Sequence, residues 1–496
     1  MPRRAILTNR PEIMLDATLP LPLYKQLYER LRGEILAGQL ERGARLPSTR
    51  TLASELGVAR TTTVLAYQQL LLEGYLESRV GQGTVVARSL PATLLNVQTD
   101  RTSSSQTDAG KTSPIHLASC VHPLKDMPYP KRIEERDGGA FRGGEPALDL
   151  FPYEIWARLI ARRARQSLRE FAHYQPPAGY YPLREAIAAQ VGITRGVRCT
   201  PEQIILTAGS QGAFDLAVRT LLNPGEAVWL ENPGYFGARG AFLAAGARLV
   251  PVPVDKQGLV VEIGRQRAQE ARLVSTTPSH QFPTGVTMSL GRRLALLDWA
   301  RQNQAWIIED DYDSEFRYGG PPLTALQGMD GAGRVAYVGT FSKILFPGLR
   351  TGYLVAPEPL LEKIIAVRAR SDRYPPVLTA APLTALLNEG HFAAHLRRMR
   401  RRVEAGRDAL VAVLKEKTGG QLDVHVPDQG LHLVARLHGQ KHDSDIVQAA
   451  KTGSIGARAL SPMYLNHASE QGLVLGFSGF DPAVIRDAAR RLCALL

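Results

Sequence analysis

The chain has 496 residues, of which 44% are hydrophobic and 22% charged, and its formal net charge is +13 at pH 7. This composition is typical of a folded protein, and the length predicts two or three domains. The three cysteines, Cys120, Cys199 and Cys493, form neither a CxxC pair for zinc nor a disulfide framework, so no metal site is predicted. The N-terminus lacks the apolar segment of a signal peptide, and no run of 18 apolar residues occurs, which predicts a cytoplasmic protein without a membrane span.

The first 90 residues predict three helices followed by a β-hairpin. A first helix that ends at Gly38 carries apolar residues at helical spacing, namely Tyr24, Tyr28, Leu31 and Ile35. Ser48 is placed to cap a short second helix, and a third helix begins at Arg60. Two β-rich runs then flank residues 81–83, Gly-Gln-Gly, which are a hairpin signal. This order predicts a winged helix-turn-helix, a DNA-binding domain whose third helix enters the major groove.

Candidate DNA contacts lie on the third helix, around the second helix and on the wing. Polar side chains that open a recognition helix reach base edges, whereas arginines around it reach phosphates. The candidates are Arg60, Thr61, Thr62 and Thr63 on the third helix, Arg45, Ser48 and Arg50 around the second, and Arg79, Gly81 and Gly83 in the wing. Surface arginines without any nucleic-acid role are an alternative, because a basic net charge is as often merely solubilising.

The segment LPSTRTLASELGVARTTTVLAYQQLLLEGYLESRVGQGTVVA resembles the GntR-type winged helix-turn-helix of bacterial repressors. Its glycines, arginines and apolar positions agree in register with the family pattern over about residues 21–88. The resemblance implies that residues 1–90 bind operator DNA.

Residues 91–115 predict a flexible linker, because their polar composition offers little apolar surface to bury. Beyond the linker, residues 116–496 predict an α/β domain. From residue 200 onward, β-rich runs alternate with helix-length stretches, which indicates a mostly parallel sheet covered on both faces. Ligands of such sheets bind beyond the carboxyl ends of the strands, so the polar residues at those ends are candidate site residues.

Two of these strand ends offer an anion site and a carboxylate. In TAGSQGAF, the turn through Gly209, Ser210 and Gln211 opens a helix whose first N–H groups suit a phosphate. In IIEDDYDSEF, strand alternation puts Asp310 and Tyr312 on one face of the sheet and leaves Asp311 on the other. A carboxylate and a phenol side by side suit a heteroaromatic cofactor. Each signal taken alone is more often a structural cap or a solvated strand end.

A third strand end, in VGTFSKILFPGLRTGYLV, supplies a lysine. Lys343 follows small polar residues, and Arg350 lies seven residues later. A lysine beside a phosphate site can form a Schiff base with pyridoxal 5′-phosphate. The three strand ends together predict a site for that cofactor.

The rear domain resembles the fold-type I, class I aminotransferases, from about residue 140 to the C-terminus. Further matching segments are HYQPPAGYYPLREAIA, ENPGYFGARGAF and TTPSHQFPTGVTMS. The whole chain resembles the MocR family of the GntR superfamily, in which a winged helix-turn-helix is fused to an aminotransferase-like domain. Agreement in domain order, linker and motifs makes an accidental similarity implausible.

The resemblance implies a role for each matched residue. Lys343 would be the Schiff-base lysine, Asp310 the partner of the pyridine nitrogen and Tyr312 the partner of the ring 3′-oxygen. Tyr235 would stack on the ring. Ser210, Gln211, Thr340, Ser342 and Arg350 would hold the phosphate. Tyr174 resembles the tyrosine that reaches the phosphate of a neighbouring subunit, which implies a homodimer.

Two departures from the aminotransferase pattern concern the residue that helps to hold the cofactor oxygen and the residue that binds a substrate carboxylate. Phe282 stands where class I aminotransferases usually have the asparagine of an NPTG motif. In addition, residues 461–482 contain no arginine, although the arginine that clamps a substrate carboxylate is expected there. Arg436 and Arg458 lie nearby, but neither matches a family motif.

The sequence therefore predicts a transcriptional regulator that binds pyridoxal phosphate. Its affinity for operator DNA would respond to pyridoxal phosphate itself, or to an amine or amino acid that forms an aldimine with it. The alternative is an active aminotransferase with an accessory DNA-binding head. The missing carboxylate arginine argues against efficient transaminase turnover, whereas the intact lysine, aspartate and tyrosine favour it.

Overall fold

The chain forms two units, Met1–Pro114 and Ile115–Leu496, in a computed structural model. The structure describes residues 15–79, 83–88, 118–124, 127, 139–320, 323–466, 468 and 470–496, without the side chains of residues 79 and 166–170. The predicted linker at 91–115 and Gly81 of the wing lie outside the described residues. In the described ranges, no helix has both the length and the apolar character that a membrane crossing requires.

The first unit contains three helices and a two-stranded antiparallel sheet, which confirms the predicted winged helix-turn-helix. Its elements are α1 (Leu23–Leu36), α2 (Thr49–Glu55), α3 (Arg60–Leu72), β1 (Leu76–Arg79) and β2 (Gly83–Val86). Ser48 caps α2 as predicted, since its side chain accepts a hydrogen bond from the Thr51 N–H at 3.1 Å. Leu27, Leu52 and Leu70, one from each helix, are fully buried in a common core.

The second unit is built on an eight-stranded sheet, and the predicted α/β class is confirmed. Its strands are β3 (Ile204–Thr207), β4 (Ala227–Asn232), β5 (Arg248–Asp255), β6 (Gly258–Leu259), β7 (Leu273–Thr276), β8 (Trp306–Asp311), β9 (Val335–Thr340) and β10 (Gly352–Val355). Their spatial order is β3-β10-β9-β8-β7-β4-β5-β6. The five strands from β9 to β5 in this order are parallel, while β10 and β6 run antiparallel to their neighbours.

Helices cover both faces of this sheet. They are α4 (Tyr153–Phe171), α5 (Tyr181–Arg195), α6 (Gly209–Leu221), α7 (Phe236–Ala244), α8 (Val261–Ala268), α9 (Leu290–Gln302), α10 (Leu326–Met329), α11 (Leu361–Arg370), α12 (Val377–Asn388) and α13 (His391–Lys417). Adjacent residues of β8 pack into hydrophobic clusters on opposite faces of the sheet, because side chains alternate along a strand. Ile308 packs with Phe214 of α6, whereas Ile307 packs with Trp299 of α9.

A second, four-stranded antiparallel sheet follows toward the C-terminus. Its elements are β11 (Leu422–Val424), β12 (His432–Leu437), α14 (Asp443–Thr452), β13 (Arg458–Ala459), β14 (Gly472–Gly476) and α15 (Pro482–Cys493). The strand order is β11-β12-β14-β13. One apolar cluster of this sheet includes Val434 and Val474 and packs against Phe236 and Phe282, which follow strands of the large sheet. The small sheet therefore borders the carboxyl ends of the parallel strands.

Candidate functional site

Lys343 lies just after β9, at the carboxyl edge of the parallel strands. Its amine is close to the backbone of the segment before α4, since a methyl group on Gly144 would lie 2.6 Å from the Lys343 Nζ. Burial lowers the pKa of the Lys343 amine, and the positive charge of Arg458 lowers it further. Asp313 and Asp310 oppose this shift. A lysine whose amine loses its proton more easily than usual is a better nucleophile.

Asp310 and Asp311 end β8 and face opposite sides of the sheet. Asp310 is buried, and its Oδ1 has no hydrogen-bond partner among the described residues. Burial, together with the charges of Asp311 and Asp313, raises the pKa of Asp310 to about 8. Asp311 instead accepts hydrogen bonds from Arg195 Nε and from the Tyr337 hydroxyl, each at 2.7 Å. Of the two carboxyl groups, Asp310 is thus the one left for a ligand.

Tyr312 follows the end of β8, and its hydroxyl contacts a histidine. The hydroxyl oxygen is 3.0 Å from Nδ1 of His280, and the same nitrogen is 2.9 Å from Oδ2 of Asp313. The pKa of Tyr312 is well above its usual value, mainly because of burial and then because of the Asp313 and Asp310 charges. Tyr312 therefore keeps its hydrogen and is available as a donor.

Tyr235 and Asp310 line the same small pocket, together with Thr276 and Arg239. The Tyr235 ring meets Phe282 edge-on, with 5.8 Å between the ring centroids, and a methyl group on Gly237 would lie 2.4 Å from a carbon of that ring. The site thus has an aromatic wall next to its carboxyl group, which suits a flat heteroaromatic ligand.

The predicted anion site is at the start of α6. The helix has no side-chain cap, so its first N–H groups remain available, and Gly209 adopts a φ of +75°. Arg350 donates from Nη2 to the Ala208 carbonyl at 2.8 Å. Its guanidinium therefore lies close to Gly209, where an added methyl group would be within 3.6 Å of it. The helix N-terminus and the Arg350 charge together favour an anion such as a phosphate.

The remaining predicted phosphate ligands occupy different environments. Thr340 and Ser342 are adjacent at the end of β9, where the Ser342 N–H donates to Thr340 Oγ1 at 3.2 Å. Ser210 is the second residue of α6 and is half-buried. Gln211 already donates its side-chain amide to the Gly237 carbonyl at 2.9 Å, so this side chain joins α6 to α7. Tyr174 is 82% exposed in the single chain, and the guanidinium carbon of Arg373 lies 4.7 Å from the centroid of its ring.

The two arginines near the C-terminal sheet differ in whether they are paired. Arg436 forms an ion pair with Glu470 at 2.9 Å. Arg458 has no acidic partner among the described residues, and it lies directly opposite Val474 in the β13–β14 pairing. Directly opposite residues share a face of the sheet, and Val474 packs toward Phe282. The Arg458 charge adds to the burial that lowers the pKa of Lys343 and His432, and it opposes the burial that raises the pKa of Tyr235. Arg458 is therefore the arginine near the cofactor residues.

Sequence reasoning missed a buried carboxyl group that ties the site together. Glu231, at the end of β4, accepts hydrogen bonds from Thr276 Oγ1 at 2.6 Å, from Thr277 Oγ1 at 2.7 Å and from the Gln281 amide at 3.1 Å. These bonds fix the loop after β7 relative to β4. The sequence signal for this residue is the ENPGY segment, which begins at Glu231. Gly144 was also missed, since nothing in the local sequence pairs it with Lys343.

The start of α3 in the first unit exposes some of the predicted DNA contacts but not all of them. Arg60 and Thr61 are exposed, and Thr62 is half-buried. Thr63 is an exception to the prediction, since its side chain is 0% exposed. Its hydroxyl donates to the Thr49 carbonyl at 2.8 Å and lies 2.9 Å from the Arg60 carbonyl. Thr63 therefore joins α2 to α3 and does not face DNA.

The other candidate DNA contacts lie around α2 and the wing. Arg50 and Ser48 are exposed at the start of α2. Arg45 is also exposed, and its backbone bridges to Val85 of β2. The Arg45 guanidinium approaches the wing, since a methyl group on Gly83 would lie 3.6 Å from it. Arg45 thus belongs to the base of the wing as much as to α2. The side chain of Arg79 and the whole of Gly81 lie outside the description.

Comparisons with known proteins identify both units. Residues 144–470 match the family described as aminotransferase class I and II, and residues 23–86 match the bacterial regulatory proteins of the gntR family. Among solved structures, LysN, an α-aminoadipate aminotransferase from Thermus thermophilus, is 30% identical to the chain with a TM-score of 0.67. The match covers 76% of this chain and 94% of that one.

Full-length relatives have the same two parts. The chain is 40% identical to the probable rhizopine catabolism regulatory protein MocR of Rhizobium meliloti, over 97% of this chain and 95% of the relative. It is 30% identical to the pyridoxine biosynthesis transcriptional regulator PdxR of Corynebacterium glutamicum, over 96% of each. The chain belongs to the MocR-type transcriptional regulators of the GntR family, which join a DNA-binding helix-turn-helix domain to an aminotransferase class I and II domain.

Proposed function

We propose that the protein regulates transcription in the cytoplasm in response to pyridoxal 5′-phosphate and to an amine that competes with Lys343 for this cofactor. The observation that carries the proposal is the unpartnered, buried Oδ1 of Asp310. A buried polar atom without a partner is rare in a folded protein. A protonated ring nitrogen would supply the missing hydrogen bond and the positive charge that an ionised Asp310 requires.

The other residues around Asp310 fit the same cofactor. Lys343 would hold its carbonyl carbon as a Schiff base, which is the chemistry that the cofactor supplies. Tyr312 would donate a hydrogen bond to the ring oxygen, and the Tyr235 ring would cover one face of the cofactor ring. The N-terminus of α6, with Arg350, would hold the phosphate group.

The phosphate would receive further donors from side chains at both strand ends. Ser210 is in the first turn of α6, Thr340 is the last residue of β9 and Ser342 follows it, with 3.2 Å between the Thr340 and Ser342 hydroxyls. Gln211 would contribute only after leaving its bond to the Gly237 carbonyl. Tyr174, exposed in one chain, would reach the phosphate of a second copy in a homodimer.

The DNA-binding part of the proposal rests on the first unit. Arg60 and Thr61 are exposed at the start of α3, where a recognition helix meets base edges. Arg45 and Arg50 would contact phosphates beside it. A homodimer would present two such heads to a repeated operator, and an effector that binds two arrangements of the dimer unequally would change operator affinity.

An active aminotransferase remains the second candidate, and Arg458 is the observation that favours it. Its unpaired guanidinium lies near Lys343 and offers a partner for a substrate carboxylate. However, transamination also needs the substrate held with its reacting bond perpendicular to the ring, and residue 474, opposite Arg458, is an apolar valine. We therefore expect amino acids to bind but multiple turnover with 2-oxoglutarate to be negligible.

The test combines visible spectra with DNA binding. Purified protein supplied with pyridoxal phosphate should be yellow, and Lys343→Ala should lose that absorption while retaining the far-ultraviolet circular dichroism of the wild type. Duplex DNA selected from a random pool by the full chain should bind with an affinity that changes when pyridoxal phosphate or an amine panel is added. An unchanged spectrum in Lys343→Ala, or rapid multiple turnover with any amino donor, would overturn the proposal.

A further inference from the structure

The loop after β7 brings a histidine to the hydroxyl that we assign to the cofactor ring oxygen. His280 Nδ1 lies 3.0 Å from the Tyr312 hydroxyl and 2.9 Å from Asp313 Oδ2. The side chains of His280 and Asp313 are each only 1% exposed. Phe282, two residues beyond His280, offers Tyr312 only an edge-on ring contact at 6.1 Å. Among the described residues, His280 is thus the hydrogen-bond partner of the Tyr312 hydroxyl.

The donor and acceptor roles in the contact between His280 and Tyr312 follow from the hydrogen-bonding capacity of the groups involved. A carboxylate only accepts hydrogen bonds, so its contact with His280 requires the hydrogen on Nδ1. An Nδ1 that carries hydrogen cannot accept one from Tyr312. The Tyr312 hydroxyl oxygen must then share the Nδ1–H as an acceptor, and its own hydrogen points elsewhere. Asp313 therefore determines the tautomer of His280, and the tautomer determines the direction of the Tyr312 hydroxyl.

The packing around His280 holds its ring in one orientation. Gly430 adopts a φ of +87°, and a methyl group there would lie 1.9 Å from His280 Cε1, so only glycine lets the backbone approach the ring this closely. The His432 ring lies 5.1 Å away, and its Nε2 is 2.9 Å from the Pro283 carbonyl. Burial lowers the pKa of His432 to about 3, so it stays neutral beside His280.

We propose that Asp313 and His280 form a hydrogen-bonded chain that keeps the Tyr312 hydroxyl hydrogen directed into the cofactor site. This inference rests on the proposed function, because the acceptor is the cofactor ring oxygen. Asp313 and His280 are positioning residues that act through Tyr312. They act at a place where Phe282 supplies no hydrogen bond, and nothing in the local sequence of the SHQFP loop predicts the pairing.

The same groups could be considered as a metal site. One ligand atom each from His280, Asp313 and His432 lies within 4.8 Å of the others. Yet Nδ1 of His280 is already placed between Asp313 and Tyr312, and Nε2 of His432 is placed against Pro283. We assign the cluster to hydrogen bonding, and an effect that disappears in EDTA would contradict that assignment.

The surrounding charges predict the direction in which the pKa of the Lys343 nitrogen should change when Asp313 is replaced. Lys343 feels the positive charge of Arg458 and the negative charges of Asp313, Asp310 and Glu145. Removing the Asp313 charge by itself lowers the pKa of the lysine nitrogen. Losing a hydrogen bond to the cofactor ring oxygen has the opposite effect, because that bond stabilises the oxygen anion formed when the nitrogen loses its proton.

Tyr312 is surrounded mainly by acidic groups. The carboxyl groups of Asp313, Asp310, Glu231 and Asp311 all raise its pKa. Asp313→Asn removes one of these four carboxyl groups, and the other three charges remain as a constant background in every comparison.

The decisive experiment is a pH titration of the visible absorption of the full chain loaded with pyridoxal phosphate, in EDTA. Tyr312→Phe should raise the pH midpoint of this titration by about one pH unit. Asp313→Asn should also raise it, by less, and should no longer raise it when Tyr312→Phe is already present. Glu145→Gln is the matched control, since it removes a charge near Lys343 without touching Tyr312. It should lower the midpoint in both backgrounds.

Any other result for Asp313→Asn contradicts the chain. A lower midpoint would mean that Asp313 acts through its charge alone, as Glu145 does. An equal rise with and without Tyr312 would mean that it acts by another route. No change in either background would mean that it only stabilises the loop.

A measurement on the protein without cofactor separates this inference from the proposed function. Nitrogen-15 NMR of histidine-labelled protein should show His280 with hydrogen on Nδ1, its signal being identified by its absence in His280→Gln. Hydrogen on Nε2 would overturn the chain even if the cofactor binds. Conversely, a protein that shows no visible band with pyridoxal phosphate would refute the proposed function, and the tautomer would still be measurable.

Discussion

Asp310 and Asp311 are neighbours at the end of β8, yet within the described part of the chain Asp310 Oδ1 has no hydrogen-bond partner, whereas Asp311 is held by Arg195. Burial would raise the pKa of both. For Asp311 the Arg195 charge and the hydrogen bonds from Tyr337 and Arg195 overcome burial, so that its pKa lies below the usual value. For Asp310 the positive charge of Lys343 opposes burial only in part, and the pKa is raised to about 8. This asymmetry separates a ligand-binding carboxyl group from a structural one.

The two carboxyl groups should therefore respond differently to substitution. Asp310→Asn should lower the affinity for pyridoxal phosphate, measured by dialysis and absorbance, and should leave the protein folded. Asp311→Asn should leave Arg195 buried without its charge partner, which costs about 3–5 kcal/mol of unfolding free energy in comparable sites. Equal losses of cofactor from two folded variants would contradict the assignment of Asp310.

The raised pKa of Asp310 predicts a pH dependence of the protein without cofactor. Its folded-state pKa of about 8 lies above the ordinary aspartate value of 3.8, so the folded state holds this proton more tightly. The contribution of Asp310 to stability is therefore lost progressively as the pH rises between these two values. The urea midpoint of Asp310→Asn should exceed that of the wild type by more at pH 8 than at pH 5. An advantage that does not change with pH would contradict the raised pKa.

Arg458 should matter for effectors that carry a carboxylate. Arg458→Ala should weaken the response of the visible spectrum to amino acids by roughly tenfold or more, the usual scale of a lost charge-assisted hydrogen bond. The response to simple amines without a carboxylate should change little. Arg436→Ala is the matched control, because Arg436 is paired with Glu470 on the same sheet. If both variants lost the amino-acid response equally, Arg458 would have no special role.

Two residues in the first turn of α3, three positions apart, should separate DNA binding from folding. Arg60→Ala should cost roughly 1–3 kcal/mol of operator affinity and blur operator preference, since Arg60 is exposed at the start of the recognition helix. Thr63→Val should instead lower the unfolding free energy by about 1–3 kcal/mol, because the Thr49 carbonyl loses its donor. Fluorescence anisotropy with selected duplex DNA and thermal melts measure the two effects. A Thr63→Val protein that is fully stable but does not bind DNA would contradict the burial of Thr63.

Local signals in the sequence determined the fold class and most of the candidate site. The Ser48 cap, the glycine that opens α6 and the alternation of Asp310 with Asp311 are properties of a few consecutive residues. Each follows from backbone geometry that the chain adopts locally. The resemblance of whole segments then assigned the DNA-binding and cofactor-binding units.

The tertiary structure decided the pairings between distant segments. Thr63 is predicted from its position to face DNA, but the contact with Thr49 of another helix buries it. Arg458 and Arg436 look equivalent in sequence, whereas strand register places Arg458 opposite Val474 and leaves Arg436 paired with Glu470. His280 meets Tyr312 because β7 and β8 are adjacent in the sheet. Such pairings depend on strand order, register and burial, which are set by packing of the whole unit and leave no signal in the neighbouring residues.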